Sequence, residues 1–158
     1  MYTVIDFAIS INDDGTYDFM TYGEIRHLKN FEDIKGNIMS LGEYFETEES
    51  YDDKMEELVK VWLDSKKKGG YIVRLWRYKG GYSDYIYSFH IVGQGIDWMS
   101  PPVGSMEKLS DFVLKFIKIT EDVIRRIRDE TGKGLEIKEN MNRANVMIFL
   151  SLKGEGLI

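Results

Sequence analysis

The sequence contains no cysteine, and its 158 residues include only two prolines and two histidines. Without cysteine the chain cannot form disulfides, thiolate zinc sites or iron–sulfur clusters, and it has no thiol nucleophile. No stretch approaches the roughly 20 apolar residues that a membrane-spanning helix needs. The N-terminal segment has neither a basic region nor a long apolar run, so no signal peptide is predicted. We therefore expect a cytoplasmic protein without membrane contact.

The amino-acid composition is typical of a folded chain. Hydrophobic residues make up 43% and aromatic residues 13%, whereas disordered chains are poor in aromatic side chains. The length fits one domain, residues 1–158, which can bury enough surface to fold without a metal or a disulfide. The net charge of −6 argues against direct nucleic-acid binding, because that affinity comes from neutralising phosphates. No cofactor is expected.

Two β-hairpins are predicted. The first comprises residues 2–11 and 16–22, where apolar residues alternate with polar or small ones. A type I turn closed by a left-handed glycine would use residues 13–15. The pairs that follow are Ile11 with Tyr17 and Ile9 with Phe19.

The second hairpin comprises residues 71–78 and 82–92, with Gly80 and Gly81 as the two central residues of a primed turn. Counting outward from this turn sets charge against charge and aromatic against aromatic, which favours the register. The predicted pairs are Arg77 with Asp84, Trp76 with Tyr85, Leu75 with Ile86, and Ile72 with Phe89.

Two amphipathic helices are predicted. Residues 51–67 carry one apolar face, and residues 106–131 carry a longer one between the N-cap Ser105 and the terminating Gly132. Residues 23–47 are ambiguous, because their apolar residues fit either a helix or short strands.

The last segments, residues 135–139 and 143–153, are predicted as a strand pair. In the second of them, alternate apolar residues face one way, while Met147 and Phe149 face the other. A strand that is apolar on both sides is central in its sheet. The predicted fold is therefore α+β, in the order ββ-α-ββ-α-ββ, with a mostly antiparallel sheet of about six strands and both helices on one face.

The charge is concentrated in one acidic segment, residues 43–57. Eight carboxylates and one lysine give this segment a net charge of −7, so the rest of the chain carries +1. Interleaved aromatic residues suit docking on a basic protein surface. A solvated loop and helix start is the alternative interpretation, since acids favour a helix N-terminus. The candidate partner-binding residues are Glu43, Tyr44, Glu46, Glu48, Glu49, Tyr51, Asp52 and Asp53.

A second candidate site is the aromatic face of the second hairpin. Aromatic side chains beside an arginine could stack on a nucleotide ring, with the loop at residues 93–104 at its edge. Packing of this face under the helices is the alternative, with Trp98 covering the core. The candidate ligand-binding residues are Arg74, Trp76, Tyr85, Tyr87, His90 and Trp98.

No catalytic or metal site is predicted. His27 and His90 lack the neighbours of known histidine motifs, and structural roles are expected for both. Gly93 and Gly95 are interpreted as turn glycines, because no phosphate-binding motif surrounds them. An enzyme that uses His90 ranks last among the functional hypotheses.

The first functional hypothesis is a small protein-binding module, in particular an inhibitor of the immunity or phage anti-defence type, which blocks a basic partner through residues 43–57. Proteins of those types are frequently of this size and acidity, an analogy that rests on size and charge alone. The alternative is a small-ligand or nucleotide-binding domain that uses the 71–92 hairpin.

Overall fold

The computed structural model describes residues 2–21, 24–46, 69–79 and 84–158. The predicted helix at 51–67, the Gly80-Gly81 turn and residues 47–50 lie outside this part of the chain. The described strands are β1 (Tyr2–Ile11), β2 (Tyr17–Thr21), β3 (Glu24–Leu28), β4 (Gly70–Lys79), β5 (Tyr85–Gly93) and β6 (Ile96–Met99). The described helices are α1 (Asp33–Leu41), a 3-10 helix (Gly42–Glu46), α2 (Met106–Thr131) and α3 (Lys138–Gly154).

The six strands form one antiparallel sheet in the order β3-β2-β1-β4-β5-β6. The α+β fold class and the strand number are therefore as predicted. The central pair is β1 with β4, which brings together strands that are separated by about sixty residues.

One side of this sheet, called the helix face, packs against α1 and α2. Alternate residues of β1 and β4, such as Phe7 and Leu75, point to this side and are fully buried. Ile38 of α1 and Phe116 of α2 belong to the same buried cluster. α3 packs on α2 and adds Ile148 to that cluster. The helix face therefore carries the main hydrophobic core.

The other side, called the second face, holds a smaller buried cluster. Ala8 and Met20 are buried there, with Ile72 packed against them. Asp6 and Ser10 also point to this side and are each only 1% exposed.

The register of the first hairpin is confirmed. Ile11 pairs with Tyr17 and Ile9 with Phe19. The Gly15 N–H donates to the Asn12 carbonyl at 3.0 Å, and Gly15 has a φ of +83°, as a left-handed turn glycine requires.

The register of the second hairpin is wrong by three residues. Leu75 pairs with Phe89, not Ile86, and Trp76 pairs with Ser88, not Tyr85. The innermost pair is Lys79 with Tyr85, so the connection is longer than a two-residue turn. An odd shift changes which residues of β5 share a face with those of β4.

The predicted last strand pair is also wrong, because residues 138–154 form α3. Ala144, Ile148 and Leu152 recur every fourth residue, which places them on one side of a helix as well as one side of a strand. Two other strands complete the six-stranded sheet. They are β3, within the ambiguous 23–47 region, and β6, within the predicted loop at 93–104.

Helix α2 has the predicted bounds. The Ser105 hydroxyl accepts a hydrogen bond from the Lys108 N–H at 3.1 Å, and Gly132 ends the helix with a φ of +74°. None of the helices within the described ranges has the length and apolar character that crossing a membrane would require.

Candidate functional site

The acidic segment begins on the 3-10 helix, Gly42–Glu46, where the structure describes its first residues. Glu43 is exposed, and Tyr44 is 44% exposed. Glu46 ends this helix. The predicted partner-binding residues Glu48, Glu49, Tyr51, Asp52 and Asp53 lie outside the described residues.

This start of the acidic segment is held firmly against the sheet. Phe45 is buried, and its carbonyl accepts a hydrogen bond of 2.7 Å from Nη2 of Arg77. The Arg77 guanidinium also lies 5.0 Å from the centre of the Phe45 ring and 4.0 Å from that of Tyr85, distances typical of cation–π contacts. Glu43 and Tyr44 are therefore presented from a fixed position.

The predicted aromatic ligand face is split between the two sides of the sheet, which corrects the expectation. Residues directly opposite in an antiparallel pair share a face. Arg74 pairs with His90, and Trp76 with Ser88, on the second face. Arg77 pairs with Tyr87 on the helix face, and the three-residue register shift is the reason for the change.

Three of the candidate aromatic residues, Tyr85, Tyr87 and Trp98, instead pack on the helix face. Tyr85 lies under Arg77, and Tyr87 meets the Phe45 ring edge-on at 6.1 Å. Trp98 stacks on Phe116 with ring centres 4.6 Å apart. The interpretation of Trp98 as a cover over the core is confirmed.

On the second face, ionisable side chains form a row across four strands. Arg74 donates to both carboxylate oxygens of the buried Asp6, at 2.8 and 3.1 Å. His90 lies opposite Arg74 and contacts Asp97 of β6. Charged hydrogen bonds of this kind tie β1 to β4 and β5 to β6. The geometry supports a structural role for His90.

The first hairpin, the residues just before α1 and helix α2 line a half-open cavity of about 390 Å³. No sequence pattern predicted this cavity. Its walls combine aromatic and charged side chains, including Tyr17, Phe31, Glu32, Lys118, Glu121 and Arg125.

Glu121 is the chemically distinctive residue of this cavity. It accepts a hydrogen bond from the hydroxyl of Tyr71, whose side chain is completely buried. Burial raises the pKa of Glu121 above its ordinary value, against the opposing effects of the Tyr71 hydrogen bond and of Arg128. Burial likewise raises the pKa of Tyr71, and the Glu121 carboxylate adds to this shift. A desolvated carboxylate beside a cavity is a typical element of a binding site.

The aromatic wall of the cavity lies beside this carboxylate. The rings of Tyr17 and Phe31 are 5.7 Å apart. The pKa of the Tyr17 hydroxyl is raised, first by burial and then by the charges of Glu121 and Glu32. Glu121 and Glu32 therefore both place negative charge near this aromatic wall. On the rim, Arg125 is paired with Asp122.

The sequence contained a signal for Glu121. The four-residue spacing of Glu121 and Arg125 would suit an ion pair on the helix surface, but Arg125 pairs with Asp122, and Glu121 accepts the Tyr71 hydrogen bond. Glu121 stands between Ile117 and Ile124, which are buried on the apolar side of α2. An acid inside an apolar stripe indicates a buried partner.

The remaining candidates have structural explanations. Gln94 and Gly95 have φ values of 55° and 84°, as in a two-residue primed turn between β5 and β6. His27 contacts Asp18 across β2 and β3. Within residues 2–21, 24–46, 69–79 and 84–158, no group of three or more histidine and carboxylate side chains could hold a metal ion.

No protein family model, no curated protein and no solved structure matches this chain.

Proposed function

We propose that the protein is a cytoplasmic protein-binding module, of the inhibitor type, that contacts a basic partner surface through residues 43–57. The observation that carries this proposal is the concentration of charge: a net −7 within this segment against +1 in the rest of the chain. Such a local field accelerates and orients association with a basic surface.

The anchored start of the segment supports the same proposal. Because Phe45 and its carbonyl are fixed by Arg77, Glu43 and Tyr44 need little ordering when a partner binds. Ordering of side chains and loops is a main cost of association, so a fixed acidic and aromatic edge is a favourable starting point.

The test is charge reversal with a matched control. One variant replaces Glu48, Glu49, Asp52 and Asp53 with lysine. The control replaces four acids elsewhere, Asp13, Asp84, Asp129 and Glu155, which are exposed. Both variants have the same net charge.

The affinity of a partner captured with the wild-type protein is then measured for all three proteins over a range of salt concentrations. We expect salt-sensitive binding that is lost only in the first variant, because exposed charges are screened by salt. Equal affinity for the two variants, or failure of the wild-type protein to capture any partner, would count against the proposal.

A second candidate function, small-ligand binding, is favoured by the cavity at Glu121 rather than by the aromatic hairpin face. An aromatic wall beside the desolvated carboxylate of Glu121 suits an organic cation such as a protonated amine. Benzylamine and its uncharged analogue benzyl alcohol are suitable probes for titration calorimetry.

We expect saturable binding of benzylamine alone, weakened by Glu121→Gln and unchanged by Asp129→Asn. The latter removes one charge from an exposed position of the same helix. Equal binding of the two probes, or equal affinity in the two variants, would exclude this candidate.

A further inference from the structure

Helix α3 has a second apolar side that faces away from the molecule. Ala144, Ile148 and Leu152 are buried toward the core. On the opposite side, Val146 is 58% exposed and Leu150 is 59% exposed. Phe149, at 51%, belongs to the same stripe, which we call the outer stripe of α3. Contiguous exposed apolar side chains of this size mark interaction surfaces.

The outer stripe ends in opposite charges. Glu139, Val146 and Lys153 follow one another at intervals of seven residues, which is two helical turns, so they lie along one line of the helix. All three are exposed. The stripe is therefore acidic at its N-terminal end, apolar in the middle and basic at its C-terminal end.

This order is complementary to itself when two helices run antiparallel. With a two-fold axis at Val146, Glu139 of one copy faces Lys153 of the other, and the apolar centres meet. Such an interface uses the same patch on both copies. In a parallel pair, by contrast, like charges would meet at both ends.

We propose that the outer stripe of α3 binds a second copy of this chain as an antiparallel, two-fold symmetric helix pair. The outer stripe contains none of residues 43–57, and the proposal does not depend on the function assigned to that segment. The stripe from Glu139 to Lys153 is about 21 Å long at 1.5 Å per residue. One helix face of that length covers less than the roughly 800 Å² per partner of a standard stable interface, so the dimer is expected to be reversible.

The neighbouring side chains agree with this geometry. Arg143, at the margin of the stripe, forms an ion pair with Glu130 of α2, so its charge is compensated within the molecule. Lys153 lies 5.9 Å from the centre of the Phe149 ring, close to the apolar middle.

Sedimentation velocity from low micromolar to near-millimolar concentration tests the pairing. Val146→Glu brings two carboxylates together at the two-fold axis and is expected to weaken the dimer at least about tenfold. Asn145→Glu adds the same charge at an exposed position outside the stripe and should leave the dimer unchanged. Because both positions are exposed, both variants are expected to fold, which circular dichroism checks.

Charge exchange tests the antiparallel orientation. Glu139→Lys alone and Lys153→Glu alone should each weaken the dimer, whereas the double exchange should restore it. A wild-type protein that stays monomeric at all concentrations would overturn the proposal, as would a dimer that Val146→Glu does not affect. Failure of the double exchange to restore the dimer would overturn the antiparallel orientation.

Discussion

The buried pair of Tyr71 and Glu121 allows one contribution to stability to be predicted in detail. Tyr71→Phe removes only the hydroxyl from a fully buried ring, so it leaves the packing intact but takes the donor from Glu121. A hydrogen bond to a charged group contributes about 1.5–3 kcal/mol. For a chain of this size each kcal/mol corresponds to roughly 2–4 °C in Tm. Urea unfolding at neutral pH measures the cost directly.

The double-mutant cycle with Glu121→Gln separates this hydrogen bond from other effects of the substitution. Glutamine keeps an acceptor for the Tyr71 hydroxyl but carries no charge. Tyr71→Phe should therefore cost only about 0.5–1.5 kcal/mol in that background, the range of a neutral hydrogen bond. Equal costs in the two backgrounds, or a cost below about 0.5 kcal/mol in the wild-type protein, would refute the reasoning.

The pH dependence of the same pair has a definite sign. The pKa of Glu121 in the folded protein is raised above the ordinary value of 4.5, so the folded state holds this proton more tightly than the unfolded state. The resulting stabilisation is present below the ordinary pKa and is lost as the pH rises through the folded pKa. Glu121→Gln removes this loss, so its stability relative to the wild-type protein should increase over that interval. A constant difference would contradict the assigned burial of Glu121.

Three further substitutions test the fold. Gly93→Ala should lower the free energy of unfolding by more than about 2 kcal/mol, because its Cβ would lie 2.2 Å from the Gly70 carbonyl oxygen; a neutral result by urea unfolding would contradict this close approach. Gly36 lies inside α1 with open space for a Cβ, so Gly36→Ala should instead raise the free energy of unfolding by about 0.5–1 kcal/mol. No gain would mean that α1 is not a regular helix there. Asp6→Ala removes the two hydrogen bonds that Arg74 donates to this carboxylate. It should cost about 2–4 kcal/mol, below the range for fully buried pairs because Arg74 is 30% exposed; a double-mutant cycle without coupling would exclude the ion pair.

The first hairpin could be predicted in full, whereas the second could not. In the first, only Gly15 can close the turn, and the apolar residues on both sides agree with that choice. In the second, the Gly80-Gly81 pair suggested a turn, but side-chain matching did not identify the register. Aromatic residues occur on both sides of β5, so a shift of three residues still gave plausible pairs.

The candidate cavity depends on long-range pairing, which sequence periodicity does not provide. Tyr71 meets Glu121 only because β4 pairs with β1 and α2 crosses the same side of the sheet. The sequence could show that Glu121 interrupts an apolar stripe, but not which side chain satisfies it. Arg74 and Tyr87 lie on opposite faces of the sheet for the same reason, because the strand register decides which face each residue occupies.

The incorrect strand prediction for residues 143–153 and the exposed outer stripe of α3 have one physical cause. Apolar residues at 144–152 occupy both sides of whichever element they form, and a strand with two apolar sides requires two covering layers. A helix with two apolar sides carries the same requirement. In the described structure α2 supplies one layer, against Ala144 and Ile148. The proposed dimer would supply the second layer at the outer stripe, with Val146 at its centre.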